Sequence, residues 1–139
     1  MIAQQYKMRY YEDEFPKEGE LVMGQSEKSE ENGCYVALLE YNNKVGMMPI
    51  NEYTTTMRKA IHRAMKVGKK EILRVIRVDR EKGYIDLSKK QVLVDDETDG
   101  EQKYANSTQL HSILIHLAEH LKMPILALYQ QYIWPIYKK

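Results

Sequence analysis

The chain has 139 residues, a formal net charge of +1 and 43% hydrophobic residues, the balance of a globular protein with one domain or slightly more. No apolar run approaches the roughly 18 residues of a membrane span, and the N-terminus lacks the apolar core of a signal peptide. The single cysteine, Cys34, excludes an internal disulfide and a cysteine-cluster metal site. We therefore expect a cytoplasmic protein that does not enter membranes.

The near-neutral total is made of separate blocks of charge. Residues 12–31 hold eight acidic residues against two lysines, and residues 95–101 hold five acidic residues and no basic one. Residues 54–70 hold six lysines or arginines and no acidic residue. Such blocks can bind cationic and anionic partners on different surfaces, although each block can equally be a solvated face.

Short strands separated by turns are predicted for the first half of the chain. The first three are expected at residues 20–28, 34–39 and 45–50, with Asn32-Gly33 as a hairpin signal and Pro49 ending the third strand. Residues 70–90 predict two further strands joined by a polar turn that ends in Gly83.

Between the third and fourth strands the chain becomes polar and basic. Apolar residues at helical spacing, with Thr54 or a neighbouring threonine as cap and Gly68 as stop, predict a short basic helix within the loop 51–68. Five strands with a loop and helix after the third are the layout of an OB barrel, a fold that often binds nucleic acid on one face.

The second half of the chain predicts helices. Residues 93–107 are acidic and polar and are interpreted as a linker. A helix is expected from Thr108 to Lys122, and a second helix from Pro124 to Pro135. The first is expected to pack through one apolar stripe, formed by Leu110, Ile113, Leu114, Leu117 and Leu121. We therefore expect a barrel domain at 1–92, a linker at 93–107 and a truncated helical domain at 108–139.

Catalytic patterns are absent from the sequence. There is no glycine-rich phosphate loop and no recognisable Ser-His-Asp arrangement. His116 and His120 lie four residues apart beside Glu119, but no third metal ligand accompanies them, so they are interpreted as a solvated helix face. We expect no enzymatic activity, no metal and no cofactor.

Two binding features follow from the residues alone. The run Thr54-Thr55-Thr56 stands before the basic helix, where an added phosphate would meet cations; a plain helix cap is the alternative. The basic residues suit contacts with a phosphate backbone, and one aromatic residue could stack a base. The predicted RNA-binding residues are Arg58, Lys59, Arg63, Lys66 and Tyr35.

Three segments together resemble S1-type OB domains. They are residues 32–38, residues 45–52 and residues 67–88. More narrowly, Leu38-Leu39-Glu40-Tyr41-Asn42-Asn43 and the run from Glu81 to Lys89 are similar to the alpha subunits of eukaryotic translation initiation factor 2. The likeness is strong over residues 10–92 and weaker over the helices at 108–137. It implies a five-stranded S1-type OB-fold barrel followed by the start of an all-α domain.

The resemblance implies a regulatory site on the loop after the third strand. In that family stress-responsive kinases phosphorylate a serine in this loop, and Thr54 stands at its position here, with Thr55 and Thr56 as competing acceptors. The family's basic run directly after the acceptor is also displaced, since cations resume only at Arg58. The resemblance also implies a remote docking site on the barrel for the kinases or the exchange factor. The matching positions are Met47, Lys82, Gly83, Tyr84 and Asp86.

The resemblance also implies a function in translation initiation. The intact factor delivers initiator methionyl-tRNA with GTP to the small ribosomal subunit and mRNA, and the nucleotide belongs to another subunit. Phosphorylation turns the factor into an inhibitor of its guanine nucleotide exchange factor. The other implied partners are the beta and gamma subunits, with the gamma-binding segment expected beyond residue 139. Two alternatives remain: a pseudosubstrate decoy that inhibits the same kinases, and a generic S1-type RNA-binding module.

Overall fold

The first half of the chain is a closed β-barrel in the computed structural model, which describes residues 8–30, 32–53 and 67–137. Neighbouring strands follow the order β1-β2-β3-β5-β4, and the contact between β3 and β5 is parallel while the others are antiparallel. The strands are β1 Leu21–Glu30, β2 Gly33–Leu38, β3 Lys44–Pro49, β4 Lys70–Asp79 and β5 Tyr84–Ser88. Within the described ranges, the predicted five-stranded barrel is therefore confirmed.

Alternating side chains separate the inside of the barrel from its outer surface. The side chains of β2 and β5 that form the barrel core are Cys34, Val36, Leu38, Ile85 and Leu87, and Ala37 and Ser88 are buried outside this core cluster. At outward-facing positions next to these core residues, Tyr35 is 36% exposed and Tyr84 is 58% exposed. This period of two is that of strands with one buried face. The outer surfaces of β2 and β5 can therefore carry side chains for binding without loss of the core.

The hairpin turn between β2 and β3 contains two adjacent asparagines. Asn42 and Asn43 have φ angles of 56° and 59°, the left-handed region that asparagine tolerates better than most residues. They allow β3 to return antiparallel to β2. Pro49 is the last residue of β3, as predicted, and α1 Ile50–Tyr53 follows it directly.

The predicted acidic linker at 93–107 is wrong as a description of local structure, because it forms the first half of a long helix. Helix α2 spans Val94–Leu121. Its first turn carries three acidic residues, which stabilise the positive end of the helix dipole. The carboxylate of Asp96 also accepts a hydrogen bond from the Leu93 N–H at 3.1 Å and pairs with Arg74 of β4 at 2.6 Å. Tertiary contact with the barrel thus fixes a segment whose composition suggested a loop.

Helix α2 also buries a different face from the one predicted. The buried side chains in its second half are Ser107, His111, Leu114 and Ala118. Three members of the predicted stripe, Ile113, Leu117 and Leu121, are instead 51%, 42% and 52% exposed. Of that stripe, Leu114 is buried and Leu110 is partly buried against the same cluster.

The second helical segment continues further than its prolines suggested. It comprises α3 Ile125–Leu128, a π-helical segment Tyr129–Ile133 and α4 Trp134–Tyr137. Pro124 stands before the first residue, as expected, but Pro135 does not end the helix. The Trp134 N–H donates to the Tyr129 carbonyl, a wider turn than in an α-helix. This wider turn gives Pro135, which lacks an N–H and would crowd the preceding turn, room inside the helix.

The helices and the barrel are joined by the segment before β1. The Tyr10 N–H donates to the Glu40 carbonyl at 2.8 Å, and the Tyr10 carbonyl accepts from the Trp134 indole at 3.1 Å. Helix α2 packs on β1 and β4. Over the described residues, none of the helices combines the length and the apolar character needed to cross a membrane.

Candidate docking face

A cleft of about 450 Å³ opens on the outer surface of the barrel where β2, β3, β5 and the end of β4 lie side by side. The residues that line it are Tyr35, Val45, Gly46, Met47, Arg77, Gly83, Tyr84, Ile85 and Asp86. We call this surface the docking face. All of these residues except Gly83 belong to strands, so the sheet fixes the positions of their side chains.

Four side chains form a row across the docking face. Tyr35 of β2 is paired with Met47 of β3, which is paired with Asp86 of β5, which is paired in turn with Arg77 of β4. The parallel contact between β3 and β5 is the step that closes the barrel and brings Met47 beside Asp86. Residues from four strands therefore act as one surface.

An ion pair stands at one end of this row. The Arg77 Nε lies 3.0 Å from the Asp86 Oδ2, and the two side chains are 65% and 30% exposed. At that exposure the pair contributes little to stability. It nevertheless offers a partner both charges at one place, a carboxylate that can accept and a guanidinium that can donate.

The turn from β4 to β5 is held by its first residue. The Asp79 carboxylate accepts from the Lys82 N–H at 3.1 Å, and the Asp79 carbonyl accepts from the Gly83 N–H at 2.8 Å. Gly83 has a φ of 76°, which most other residues adopt only with strain. Lys82 is exposed on this turn beside the cleft and does not line it.

A second contact ties the same turn to the segment before β1. The Arg80 guanidinium donates to both carboxylate oxygens of Asp13, at 3.0 and 2.5 Å, and lies 5.5 Å from the centre of the Phe15 ring. Arg80 is the main reason that the pKa of the Asp13 carboxyl is lowered below its usual value. The Lys44 ammonium, at the start of β3, lies 4.2 Å from the centre of the same ring. The contacts of Arg80 with Asp13 and Phe15 therefore hold the turn that carries Lys82 and Gly83 against the segment before β1.

The structure brings together most of the described site residues. Met47, Gly83, Tyr84 and Asp86, which the resemblance assigned to docking, share the cleft with Tyr35, which was assigned to RNA. Sequence reasoning missed Arg77. Counting back across the Asp79–Gly83 turn from Asp86 would have paired the two strands and found it.

The predicted phosphate-acceptor residues and the predicted basic helix lie outside the described residues. This applies to Thr54, Thr55 and Thr56, and to the RNA-binding residues Arg58, Lys59, Arg63 and Lys66. The described residues on either side of them are well anchored. The Glu52 carbonyl accepts from the N–H groups of Lys89 and Lys90 at 3.0 and 2.8 Å, and the Gly68 N–H donates to the Ser26 carbonyl at 2.7 Å.

The side chains of the docking face suit binding more than catalysis. Two tyrosines and a methionine provide apolar contact, and the Arg77–Asp86 pair provides charge. Among the described residues there is no cluster of three or more histidine, cysteine, aspartate or glutamate side chains able to hold a metal ion. Exposed tyrosine, methionine and arginine side chains are also the kinds of residue enriched in protein interfaces.

Comparison with known proteins identifies the family. The S1 RNA binding domain matches residues 16–90, more than half of the chain. The chain is 41% identical over 137 residues to the Arabidopsis thaliana eukaryotic translation initiation factor 2 subunit alpha, covering 99% of this chain and 40% of the relative. It is 38% identical over 136 residues to subunit 1 of the same factor from Dictyostelium discoideum, covering 94% and 40%. It therefore spans about 40% of the length of these curated relatives.

Solved structures agree with the sequence relatives. The chain superposes with a TM-score of 0.81 and 30% identity on the a/eIF2alpha-aDim2p-rRNA complex from Pyrococcus horikoshii, covering 90% of this chain and 74% of that one. The intact alpha subunit of aIF2 from Pyrococcus abyssi gives a TM-score of 0.78 and 31% identity, covering 86% and 46%. The S1-type OB fold and the family inferred from the sequence are confirmed. The chain belongs to the family of alpha subunits of eukaryotic translation initiation factor 2.

Proposed function

We propose that this chain acts in translation initiation and is phosphorylated at Thr54 by stress-responsive kinases that bind the docking face. In this proposal the chain works with the beta and gamma subunits to deliver initiator methionyl-tRNA and GTP to the small ribosomal subunit. Phosphorylation of Thr54 makes the factor an inhibitor of its guanine nucleotide exchange factor. Family membership supports the role in initiation, and the resemblance of the loop supports the acceptor.

One observation carries the docking half of the proposal. Met47 and Asp86 are far apart in the sequence, yet they are paired neighbours on one exposed surface that also holds Gly83 and Tyr84. A kinase that recognises this combination of side chains recognises the folded barrel, because an unfolded chain or a short peptide does not bring them together. Recognition is then specific even when the sequence around the acceptor differs from the family pattern.

The position of the acceptor segment suits such remote docking. Strand β3 carries Met47 and leads through α1 to Tyr53, the residue before Thr54. Because Glu52 is fixed to the end of β5, a kinase held at the docking face has the start of the acceptor segment at a constant position. The effective concentration of the acceptor is raised without contacts to its own sequence. A phosphate would add about −1.5 to −2 charges next to the basic residues that begin at Arg58.

RNA binding is the second part of the proposal. The S1 RNA binding domain covers the barrel, and a related solved structure is a complex that contains rRNA. We propose that Arg58, Lys59, Arg63 and Lys66 contact the phosphate backbone of initiator tRNA or mRNA while Tyr35 stacks on a base. Such binding should weaken as salt is raised.

The test is phosphorylation of this chain by a kinase domain specific for the alpha subunit of initiation factor 2, with sites mapped by mass spectrometry. We expect one phosphate at Thr54, none in Thr54→Ala, and at least a tenfold lower rate in Asp86→Ala. Asp99→Ala removes an exposed carboxylate from α2, away from the docking face, and should keep the wild-type rate. Phosphate at Thr55 or Thr56 alone would reassign the acceptor. No phosphate, with inhibition of the kinase towards another substrate, would favour the decoy function instead.

Gly83 permits a sharper test of the docking turn. Alanine at Gly83 or at Gly19 should cost about 1–2 kcal/mol of stability, since both have positive φ and open space where a Cβ would stand. Only Gly83→Ala should also lower the rate of Thr54 phosphorylation, because Gly19 lies outside the docking face. Urea unfolding measures the first effect and initial rates the second. Equal phosphorylation rates for the two variants would contradict docking at this turn.

A further inference from the structure

We propose that RNA and the kinase exclude each other on the docking face, so that a chain engaged with single-stranded RNA is protected from phosphorylation. The inference rests on the proposed function, which assigns a base-stacking role to Tyr35 and a kinase-docking role to Met47, Tyr84 and Asp86. From the sequence, base stacking and kinase docking are predicted at two separate sites. The structure puts all four side chains around one cleft.

The cleft has room for one ligand group. Its volume of about 450 Å³ lies in the lower part of the range of about 300–1,000 Å³ that holds a single small ligand. Tyr35 and Met47 are directly paired, as are Met47 and Asp86, so no strand separates a base-stacking half from a docking half. A base lying on Tyr35 and a protein side chain in contact with Met47 would compete for the same space.

The chemistry of the face suits a nucleotide. Tyr35 and Tyr84 are 36% and 58% exposed, and exposed aromatic rings stack on bases with little regard to sequence. Arg77 is 65% exposed and Lys82 lies at the rim, so two cations are available for the phosphate backbone. The one carboxylate in the row, Asp86, is neutralised by Arg77 at 3.0 Å and therefore repels a phosphate less.

The same groups would be used by a docked protein. A partner that contacts Met47 and Tyr84 covers the apolar floor on which a base would lie. A partner cation that binds Asp86 must share or displace Arg77, and the released guanidinium would then contact the partner instead of RNA. The two complexes thus need the same atoms in incompatible arrangements. The consequence is regulatory: the free chain is the kinase substrate, and the RNA-bound chain is not.

The experiment measures binding of the isolated kinase domain to this chain at fixed salt, with and without a short fluorescein-labelled oligouridylate. The Kd of each binary complex is measured first, together with a control showing that the kinase domain does not retain the oligouridylate. With RNA at ten times its own Kd, the apparent Kd of the kinase domain should rise about elevenfold. The rise should continue in proportion to RNA concentration without a plateau.

Two variants test whether the competition takes place at the docking face. Tyr84→Ala should weaken both the RNA and the kinase complexes at least threefold. Tyr132→Ala removes a tyrosine of the same exposure, 58%, from the helical segment and should weaken neither. If Tyr84→Ala weakened only one complex, the ligands would use different surfaces and the inference would be wrong.

The other outcomes separate this inference from the proposed function. If both binary complexes form but the kinase Kd stays constant or levels off as RNA is added, the two ligands bind together. The mutual exclusion would then be overturned and the proposed function would stand. If either binary complex fails to form, that half of the proposed function is wrong, and the exclusion falls with it.

Discussion

Replacing Glu40 with alanine is expected to lower the free energy of unfolding by about 3–5 kcal/mol. The Glu40 side chain is 1% exposed, so its charge is tolerated only through its partners. One carboxylate oxygen accepts from the Met23 N–H at 2.9 Å, and the other accepts from the Tyr11 hydroxyl at 2.6 Å. Alanine leaves the buried Met23 N–H without its acceptor, leaves the Ser107 hydroxyl as the remaining partner of the Tyr11 hydroxyl, and leaves a cavity in place of the carboxylate.

The cost is large because Glu40 joins three parts of the fold. Tyr11 belongs to the segment before β1, Met23 to β1, and Tyr11 also contacts the Ser107 hydroxyl of α2 at 3.0 Å. Lys103 of α2 lies 3.6 Å from the same carboxylate and 3.1 Å from Glu20. Removal of Glu40 is therefore expected to loosen α2 from the barrel as well as to destabilise the barrel.

The control is a glutamate of the same strand system that lies on the surface. Glu30 is paired with Lys28 at 3.1 Å, but its side chain is 42% exposed, so Glu30→Ala should change stability by less than about 1 kcal/mol. Urea unfolding, followed by circular dichroism, measures both variants under the same conditions. A loss below about 1 kcal/mol for Glu40→Ala would mean that water replaces the carboxylate and that the network does not hold α2 on the barrel.

The barrel could be predicted because its signals are local. The alternation through Ile85 and Leu87 indicates a strand. Gly83 and Asn42-Asn43 indicate turns, and both kinds of signal involve only neighbouring residues. Signals of this kind depend on only a few consecutive residues. The strand bounds were accordingly close to those observed.

The helical structure of residues 94–107 could not be predicted because the partners that stabilise it are distant in the sequence. Asp96 pairs with Arg74 of β4, and Lys103 pairs with Glu20 before β1. Gly100 lies so close to Ile72 that a Cβ would stand 2.6 Å from that side chain. Each of these residues, taken alone, suggests a polar loop. The segment is helical because its contacts with the barrel surface stabilise the helix.

The docking face was predictable only in part for a related reason. The antiparallel pairs follow from hairpin turns, so Arg77 beside Asp86 could be counted from the sequence. The parallel contact of Met47 with Asp86 depends on closure of the barrel, which no turn encodes. The resemblance supplied the residues, and the structure supplied the fact that Tyr35 and Arg77 share their surface.

The second large effect is expected at alkaline pH. Burial, followed by the nearby Glu20, raises the pKa of the Tyr41 hydroxyl above its ordinary value of 10.0. Burial also raises the pKa of Tyr129, whose hydroxyl contacts His111 at 2.7 Å. The two side chains are 3% and 1% exposed, so neither can ionise in the folded chain without a large cost.

The sign follows from proton counting. Below about pH 10 both tyrosines are protonated in the folded and the unfolded chain, and their contribution is fully present. Above pH 10 the unfolded chain releases these protons while the folded chain keeps them, so stability falls as pH rises towards the raised pKa values. Each tyrosine contributes a slope that approaches about 1.4 kcal/mol per pH unit well above pH 10 and averages about 0.7 kcal/mol per pH unit between pH 9 and pH 11.

Single substitutions separate this effect from lysine titration and test whether the barrel and the helices unfold together. Tyr41 packs in the barrel core and Tyr129 in the helical cluster, so Tyr41→Phe and Tyr129→Phe should each lower the mean slope of one common unfolding transition by about 0.7 kcal/mol per pH unit between pH 9 and pH 11. Tyr132→Phe, at an exposed position, should leave the slope unchanged. Urea unfolding at intervals between pH 9 and pH 11 measures these slopes.

If Tyr129→Phe altered only a separate, earlier transition, α2 and the following helical segment would unfold apart from the barrel. In that case the network around Glu40 would not join the two parts into one cooperative unit.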